Sequence, residues 1–259
     1  MTTLPFFQVD AFASAPLTGN PAAVMPLDEW LDDSLMQRIA AENNLSETAF
    51  AVPSAREDAD YDLRWFTPAT EVDLCGHATL ASGHVLITGE VIRFATRSGI
   101  LTVGREGDLL RLDLPAYEVR PGSIDGLEAA LGVSGESFTG EGGNNSAIVL
   151  LPDEAAVRAV KPDFAALKRF DRLVMVTAPG TSADIVSRVF ASYHGIDEDP
   201  VTGAAHAALV PFWAKRLGRR EFTAFQASAR GGFLDCRDAG ERVLLGGQCV
   251  TVITGNFQL

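Results

Sequence analysis

Cysteine is scarce in this chain of 259 residues, and its three copies, Cys75, Cys236 and Cys249, are scattered. An odd, dispersed set forms no metal-type pair, so a reduced cytoplasmic setting is the simplest interpretation. No apolar run approaches the roughly 20 residues of a membrane-spanning helix. No N-terminal stretch has the charged start, apolar run and cleavage site of a signal peptide. We therefore expect a cytoplasmic protein without a membrane partner.

Basic charge is also in short supply, with 21 Lys and Arg against 34 Asp and Glu and a net charge of −13. Because nucleic-acid phosphates need basic patches, this composition argues against a nucleic-acid partner. The four histidines lack metal-ligand spacing, so we expect no metal site. Also missing are a nucleotide-binding glycine fingerprint, a P-loop and a Gly-x-Ser-x-Gly elbow. What remains is an ordinary globular composition, 47% hydrophobic.

The chain contains a glycine turn that runs into an unusually apolar helix. Residues 71–79 read EVDLCGHAT, and apolar side chains spread around the whole circumference of a helix predicted at residues 78–87. A helix that is apolar all round is typically buried, so its first turn presents unpaired N–H groups inside the protein. Gly76 lets an anion approach this backbone. The pattern predicts a carboxylate site with His77 at its mouth.

The same pattern occurs a second time, which indicates an internal repeat. Residues 197–206, DEDPVTGAAH, lead into a second helix without a polar stripe, and Gly203 lies 127 positions after Gly76 (203 − 76). Residues 19–24, GNPAAV, resemble 143–148, GNNSAI, and RWF at 64–66 resembles RVF at 188–190. We predict two similar halves, residues 1–116 and 117–249, whose buried helices converge on one cleft. A last strand within 250–259 could return to the first half.

Local signals predict several further elements. Asp32 and Asp33 precede a helix at residues 34–43, and Asn44 suits its end because Asn tolerates a left-handed backbone. A strand follows at residues 46–52. Strands at 91–96, 100–105 and 109–114 form a meander with glycine turns.

Glu47 opens a predicted strand with apolar residues after it. A solvated carboxylate at a strand end is the simpler interpretation. The functional interpretation rests on an asymmetry of the repeat. At the position equivalent to Glu47, the second half has DRL at 171–173, in which Asp171 would pair with the adjacent Arg172. A lone carboxylate in a closed apolar cleft has a raised pKa and can exchange a proton near neutrality.

Asp199, His77 and Cys75 are the other candidates. Asp199 precedes Pro200 and is either a turn-forming acid or a partner acid that faces Glu47. His77 is either a core histidine or a group that binds an acidic substrate or relays a proton. A thiolate of Cys75 would be stabilised at a helix start, and some epimerases use two opposed cysteines. The second half has no cysteine near residues 199–203, so we interpret Cys75 as a core residue.

Five segments in order resemble the phenazine-biosynthesis (PhzF-like) isomerase family over essentially the whole chain. They are QVDAF at 8–12 with GNPAAV at 19–24, NLSETAF at 44–50, DLCGHAT at 73–79 and EDPVTGAAH at 198–206. The resemblance implies an α+β fold shared with diaminopimelate epimerase. In that fold two pseudo-symmetric domains each wrap a mostly antiparallel strand barrel round a central helix, with the active site between them. It also implies no cofactor, a homodimer, and proton transfer on a small carboxylate substrate.

By this resemblance Glu47 is the proton-shuttling acid and His77 and Asp199 are its partners. Gly76 and Gly203 are the backbone donors that bind substrate. At the substrate-binding position after Gly203 this chain has Ala204 where the phenazine enzyme has serine, so a hydroxyl contact is missing. QASARGG at 226–232 also departs from the usual pattern. Both departures argue against the phenazine precursor as substrate.

Three functional hypotheses follow. The leading one is a cofactor-independent isomerase in which Glu47 moves the proton and the helix starts hold the carboxylate. The second is a racemase or epimerase that uses Cys75 with an acid. The third is a non-catalytic protein that binds an acidic metabolite.

Overall fold

The computed structural model describes residues 2–141 and 145–259, and the chain divides into two compact units. The first unit comprises Met1–Asp113 and Gly246–Leu259, and the second comprises Leu114–Leu245. The predicted repeat segment at 143–148 lies partly outside the described residues. Within the part of the chain that is described, no helix combines the length and apolar character needed to cross a membrane.

The first unit is built from strands around one buried helix. Its strands are β1 (Thr3–Ala11), β2 (Asn20–Pro26), β3 (Glu47–Pro53), β4 (Tyr61–Phe66), β5 (Glu71–Val72), β6 (Val91–Thr96), β7 (Gly99–Glu106), β8 (Leu109–Pro115) and the later β18 (Cys249–Gln258). Its helices are α1 (Asp33–Asn43) and α2 (Gly76–Leu86). Strand β1 pairs antiparallel with β18 and β2, β2 runs parallel to β3, β3 antiparallel to β4, and β4 parallel to β6. Strands β6, β7 and β8 form the predicted meander.

Helix α2 lies among these strands and contacts β1, β2, β3 and β7. It begins two residues before the predicted start, and its first eight residues, Gly76 to Gly83, are all buried. A Cβ atom at Gly83 would lie 2.6 Å from Val103 Cγ1, so glycine is what lets the helix approach β7 this closely. Burial on several sides explains why the helix sequence has no polar face.

The second unit repeats this order of pairing. Its strands are β9 (Arg120–Pro121), β10 (Glu136–Gly140), β11 (Ser146–Leu150), β12 (Leu173–Pro179), β13 (Ile185–Ala191), β14 (Ile196–Asp199), β15 (Glu221–Gln226), β16 (Gly232–Asp238) and β17 (Arg242–Gly247). Its helices are α3 (Leu127–Leu131), α4 (Glu154–Ala159), α5 (Phe164–Leu167) and α6 (Gly203–Leu217), with a 3₁₀ turn at Ser192–His194. The series antiparallel, parallel, antiparallel, parallel, antiparallel recurs from β10 through β11, β12, β13 and β15 to β16.

Helix α6 is the counterpart of α2 and is buried along most of its length. Trp213 Nε1 donates a hydrogen bond to Thr177 Oγ1 on β12 at 3.0 Å. The Phe212 ring packs edge-on against Phe138 of β10, with ring centroids 4.9 Å apart. Because apolar contacts surround the helix, its first turn is also inside the protein.

An arginine–glutamate pair recurs at the same place in each unit. Arg64 of β4 bonds Glu71 through both Nε and Nη2, at 2.7 and 2.9 Å, and Arg188 of β13 bonds Glu198 in the same way at the same distances. Each guanidinium also lies 5.2 Å from a phenylalanine ring centroid two residues later. Partly buried bidentate pairs hold a fixed geometry. They fasten the strand that leads into each buried helix, and the predicted α+β fold of two similar halves is confirmed.

Candidate active site

The first unit brings Glu47 and His77 together in its interior. Glu47 is the first residue of β3, beside Ala22 of β2, and His77 is the second residue of α2. Glu47 Oε2 lies 3.1 Å from His77 Nε2, and the two residues are 8% and 4% exposed. The distance suits a hydrogen bond, but the orientation does not, and both atoms are buried without an aligned partner. Such atoms are uncommon in folded proteins and often mark a functional site.

The other ring nitrogen of His77 has two neighbours. Asn20 Nδ2 lies 3.1 Å from His77 Nδ1, and Cys75 Sγ lies 3.6 Å from the same atom. Ser46 Oγ donates a hydrogen bond to Asn20 Oδ1 at 3.2 Å. A chain of polar side chains therefore runs from Ser46 through Asn20 and His77 to Glu47.

Burial and mutual charge set the ionisation of this cluster. Burial, followed by the charge of Glu47, raises the pKa of the Cys75 thiol to about 11. Burial lowers the pKa of His77, but charges on Cys75 and Glu47 raise it further than burial lowers it. The Cys75 contribution requires a thiolate, which a pKa near 11 makes rare at neutral pH. Cys75 is therefore buried, as predicted, and also lies against the candidate site.

The two buried helices begin without a side-chain cap, unlike α1, α4 and α5. Asp32, Asp153 and Asp163 accept hydrogen bonds from first-turn amides of α1, α4 and α5. Cys75 and Thr202, which precede α2 and α6, make no such bond. The first amides of α2 and α6 therefore keep hydrogen-bonding capacity that a bound anion could satisfy.

The predicted substrate-binding residues lie at these two helix starts. Gly76 is the first residue of α2, and Gly203 is the first residue of α6. Ala204, half-buried, occupies in α6 the second position that His77 occupies in α2. Each unit thus offers amide donors, but only α2 has an imidazole at its second residue, since His206 is the fourth residue of α6.

In the second unit, Asp199 is held by a network beside the start of α6. Asp199 is 6% exposed, and the Thr202 hydroxyl donates a short hydrogen bond to its Oδ2. Gln226 Nε2 donates to the Asp199 carbonyl at 2.7 Å, and Gln226 Oε1 accepts from the Thr202 amide at 2.9 Å. Asp199 is thus a fixed, hydrogen-bonded acid rather than a solvated turn residue.

Gln226 and Asn20 are site residues that sequence reasoning missed. Gln226 ends β15 and is fully buried, 27 positions after the carbonyl it binds. Asn20 lies 57 positions before His77. A buried amide at a strand end before a glycine-rich turn is the signal that could have identified Gln226.

Strand register shows what each unit has at equivalent positions. Glu47 pairs with Ala22 one residue before the β3–β4 ladder begins, and Leu173 pairs with Ser146 in the same way before the β12–β13 ladder. The second unit therefore has an apolar side chain, from the predicted DRL segment, where the first has Glu47. By the same comparison Asp199 corresponds to Val72. Each unit carries an acid that its counterpart lacks.

Glu47, Cys75 and His77 also offer donor atoms that lie within 4.8 Å of one another. A carboxylate, thiolate and imidazole together suit a borderline ion such as Zn²⁺. Binding would require Cys75 to lose its proton, which burial opposes. The expectation of no metal site stays a prediction.

Comparisons with known proteins indicate one protein family. A family model described as phenazine biosynthesis-like protein matches residues 9–255. An uncharacterized isomerase of Pseudomonas aeruginosa is 53% identical over 99% of this chain and 99% of its own length.

Solved structures with a similar fold include members of the same family. A PhzF-family phenazine biosynthesis protein from Enterococcus faecalis superposes with a TM-score of 0.90 at 44% identity, with 100% of each chain covered. A hydroxyproline epimerase from Agrobacterium vitis is 13% identical with a TM-score of 0.64, over 98% of this chain and 92% of its own. The latter likeness shows the fold alone, which is epimerase-like.

Proposed function

The chain belongs to the phenazine biosynthesis-like family and is an isomerase, and from this premise we propose that it moves a proton on a small carboxylate without a cofactor. Glu47 is the group that takes and returns the proton. The observation that carries the proposal is the buried 3.1 Å approach of Glu47 to His77 at the uncapped start of α2.

The proposed step needs no redox partner. The Glu47 carboxylate removes a proton from a substrate carbon, and the electron pair left behind delocalises toward the substrate's unsaturated or carboxylate group. Glu47, now a carboxylic acid, returns the proton to another carbon or another face, which regenerates the carboxylate. His77 Nε2 lies 3.1 Å from Glu47 Oε2 and helps to position the carboxylate.

The helix starts provide the electrostatic part of the proposal. The first-turn amides of α2 in the first unit, and those of α6 in the second, each offer donors to a substrate carboxylate or to the charge that develops on it, an interaction of about 0.3–1 kcal/mol at an exposed helix end and up to about 2 kcal/mol when partly buried. Asp199 assists as a second acid, held in place by Thr202 and Gln226. Ala204 leaves the start of α6 without a hydroxyl, which favours a substrate other than the phenazine precursor.

Solvent deuterium exchange tests the proposal. The protein is incubated in heavy water with a panel of small amino acids and unsaturated carboxylates, and carbon-bound deuterium is measured by mass spectrometry. We expect incorporation into at least one compound, a loss of at least about 100-fold in Glu47→Gln, and retention in Cys75→Ala. Glu154→Gln is the matched control, because Glu154 is equally buried at 8% exposure but bonds Thr181 and Arg158 in the second unit.

A second candidate is an epimerase that uses Cys75, which the 3.6 Å approach of its sulfur to His77 Nδ1 favours. Loss of exchange in Cys75→Ala with retention in Glu47→Gln would establish that mechanism instead. Binding of a carboxylate without any exchange would indicate a binding protein and refute both catalytic readings.

A further inference from the structure

We propose that Asn20 is a positioning residue that holds His77 in the tautomer with its proton on Nε2, the nitrogen that faces Glu47. The tautomer itself follows from contacts in the first unit. Only its consequence for catalysis rests on the proposed function.

In the structure the Asn20 amide is oriented with Oδ1 beside Ser46 and Nδ2 beside His77. Asn20 is fully buried, and its Oδ1 accepts a hydrogen bond from Ser46 Oγ at 3.2 Å. The amide nitrogen is then the atom that faces His77 Nδ1, at 3.1 Å. An amide NH₂ group only donates, so Nδ1 must accept. A neutral imidazole that accepts at Nδ1 carries its proton on Nε2.

The backbone fixes Asn20 in this place. Gly19 has φ +65°, and a Cβ there would lie 2.2 Å from the Ala11 carbonyl oxygen. Only glycine fits this turn without strain, and Asn20 follows it as the first residue of β2, in register with Ala11. The amide is therefore presented by a tight turn and a paired strand rather than by a mobile loop.

Asn20 also bears on whether Glu47 or Cys75 carries the reactive proton. His77 Nδ1 has one lone pair, and Asn20 Nδ2 at 3.1 Å is closer to it than Cys75 Sγ at 3.6 Å. Proton transfer from the thiol would put hydrogen on Nδ1, against the amide NH₂. Asn20 therefore opposes a thiolate–imidazolium pair and leaves the Glu47 carboxylate, facing Nε2, as the base. Among the described residues of the first unit, the ionisable groups that face His77 are Glu47 from β3 and Cys75 from the residue before α2.

Nuclear magnetic resonance tests the tautomer without any substrate. Long-range ¹H–¹⁵N correlation of the imidazole nitrogens distinguishes the two neutral tautomers and the cation. The chain has four histidines, so the His77 signals are assigned by their absence in His77→Gln. In spectra recorded above the raised pKa of His77, we expect the neutral ring of the wild type to carry its proton on Nε2. A neutral ring with its proton on Nδ1 overturns the proposal.

Two substitutions at Asn20 extend the test. Asn20→Asp replaces the donor by an acceptor, so His77 should take a proton on Nδ1 and stay cationic to a pH about one unit higher or more. Asn20→Leu removes the bond and should leave a mixture of tautomers. Asn43→Asp is the matched control, because Asn43 bonds Thr48 Oγ1 rather than a histidine. A titration of His77 in Asn20→Asp that matches wild type would refute the positioning role.

If wild-type His77 has the expected tautomer but no substrate exchanges deuterium, the proposed function is refuted. The role of Asn20 in setting the tautomer is then unaffected. Deuterium exchange that persists while His77 carries its proton on Nδ1 would refute the role of Asn20 and leave the proposed function intact.

Discussion

Replacement of Gln226 by alanine is the sharpest test of how the second unit holds its acid. Gln226 is fully buried and its amide connects two points of the chain, accepting from the Thr202 amide at 2.9 Å and donating to the Asp199 carbonyl at 2.7 Å. Thr202 directly precedes α6, so this side chain joins the end of β15 to the start of the helix.

The expected cost follows from these bonds. A buried N–H left without its acceptor, here that of Thr202, costs about 1–3 kcal/mol, and a lost bond at the Asp199 carbonyl costs about 0.5–1.5 kcal/mol. We therefore expect Gln226→Ala to lower the free energy of unfolding of the second unit by about 2–4 kcal/mol. We also expect Asp199 to lose its fixed position. Deuterium-exchange activity at room temperature should therefore fall by more than the unfolded fraction of the protein explains.

Fluorotryptophan labels resolve the two units in one measurement. Trp213 lies in α6 of the second unit, whereas Trp30 and Trp65 belong to the first. Urea titration followed by ¹⁹F resonance gives a separate transition for each residue, which avoids assuming that a two-unit chain unfolds in one step. The Trp213 transition should move to lower urea in Gln226→Ala.

Gln37→Ala is the control, because Gln37 is half-buried and makes one bond to the Thr67 carbonyl in the first unit. A loss below about 1 kcal/mol at the Trp213 signal would mean that the Gln226 bonds do not hold the helix start. An equal loss at all three tryptophans would show that the effect is not local to the second unit.

Three further predictions concern stability. Gly83→Ala should cost about 1–3 kcal/mol, since the new Cβ would lie 2.6 Å from Val103 Cγ1, and Val103→Ala should restore part of the loss in thermal melts. Burial lowers the pKa of His206 from 6.5 to about 4, so the unfolded chain binds more protons between these values, and stability should fall as pH drops from 6.5 to 4. His206→Gln should flatten this slope, and an unchanged slope would contradict the assignment. The hydrogen bond from the Thr181 hydroxyl, followed by that from its amide, lowers the pKa of Glu154 from 4.5 to about 2. The contribution of Glu154 to stability should therefore be present above pH 4.5 and be lost as pH falls through 2. Comparison of Glu154→Gln with wild type by acid titration checks this window.

The two units share one architecture but carry different side chains at equivalent positions. Both have an uncapped buried helix and an arginine–glutamate pair beside it. Glu47 corresponds to Leu173, however, and His77 corresponds to Ala204. This asymmetry supports the proposed reaction with one principal proton carrier, and it differs from a two-thiol epimerase, in which both halves would supply equivalent groups.

Much of the fold was predictable because its signals are local. The glycine turns at Gly76 and Gly203 and the apolar sequences after them predicted both buried helices, since a missing polar face is visible in sequence. Asn44 ends α1 in the left-handed conformation, as its residue type predicted. The meander after Val91 followed from alternation and glycine turns.

Other features depended on strand register and could not be read from spacing. Insertions between elements change the repeat offset from 124 for Arg64 and Arg188 (188 − 64) to 127 for the two helix glycines (203 − 76). A single offset therefore could not select which residue of the DRL segment corresponds to Glu47, and the hydrogen-bonded ladders identify Leu173.

By itself, the sequence determined the duplicated α+β fold, the two helix starts and the short set of residues able to do chemistry, because these depend on periodicity and residue type. Tertiary structure alone decided which polar groups touch. Asn20 meets His77 across 57 positions and Gln226 meets Asp199 across 27, since strand pairing and helix burial bring distant side chains within 3.1 Å. Directional hydrogen bonds require that proximity, and nothing in the local chain encodes it.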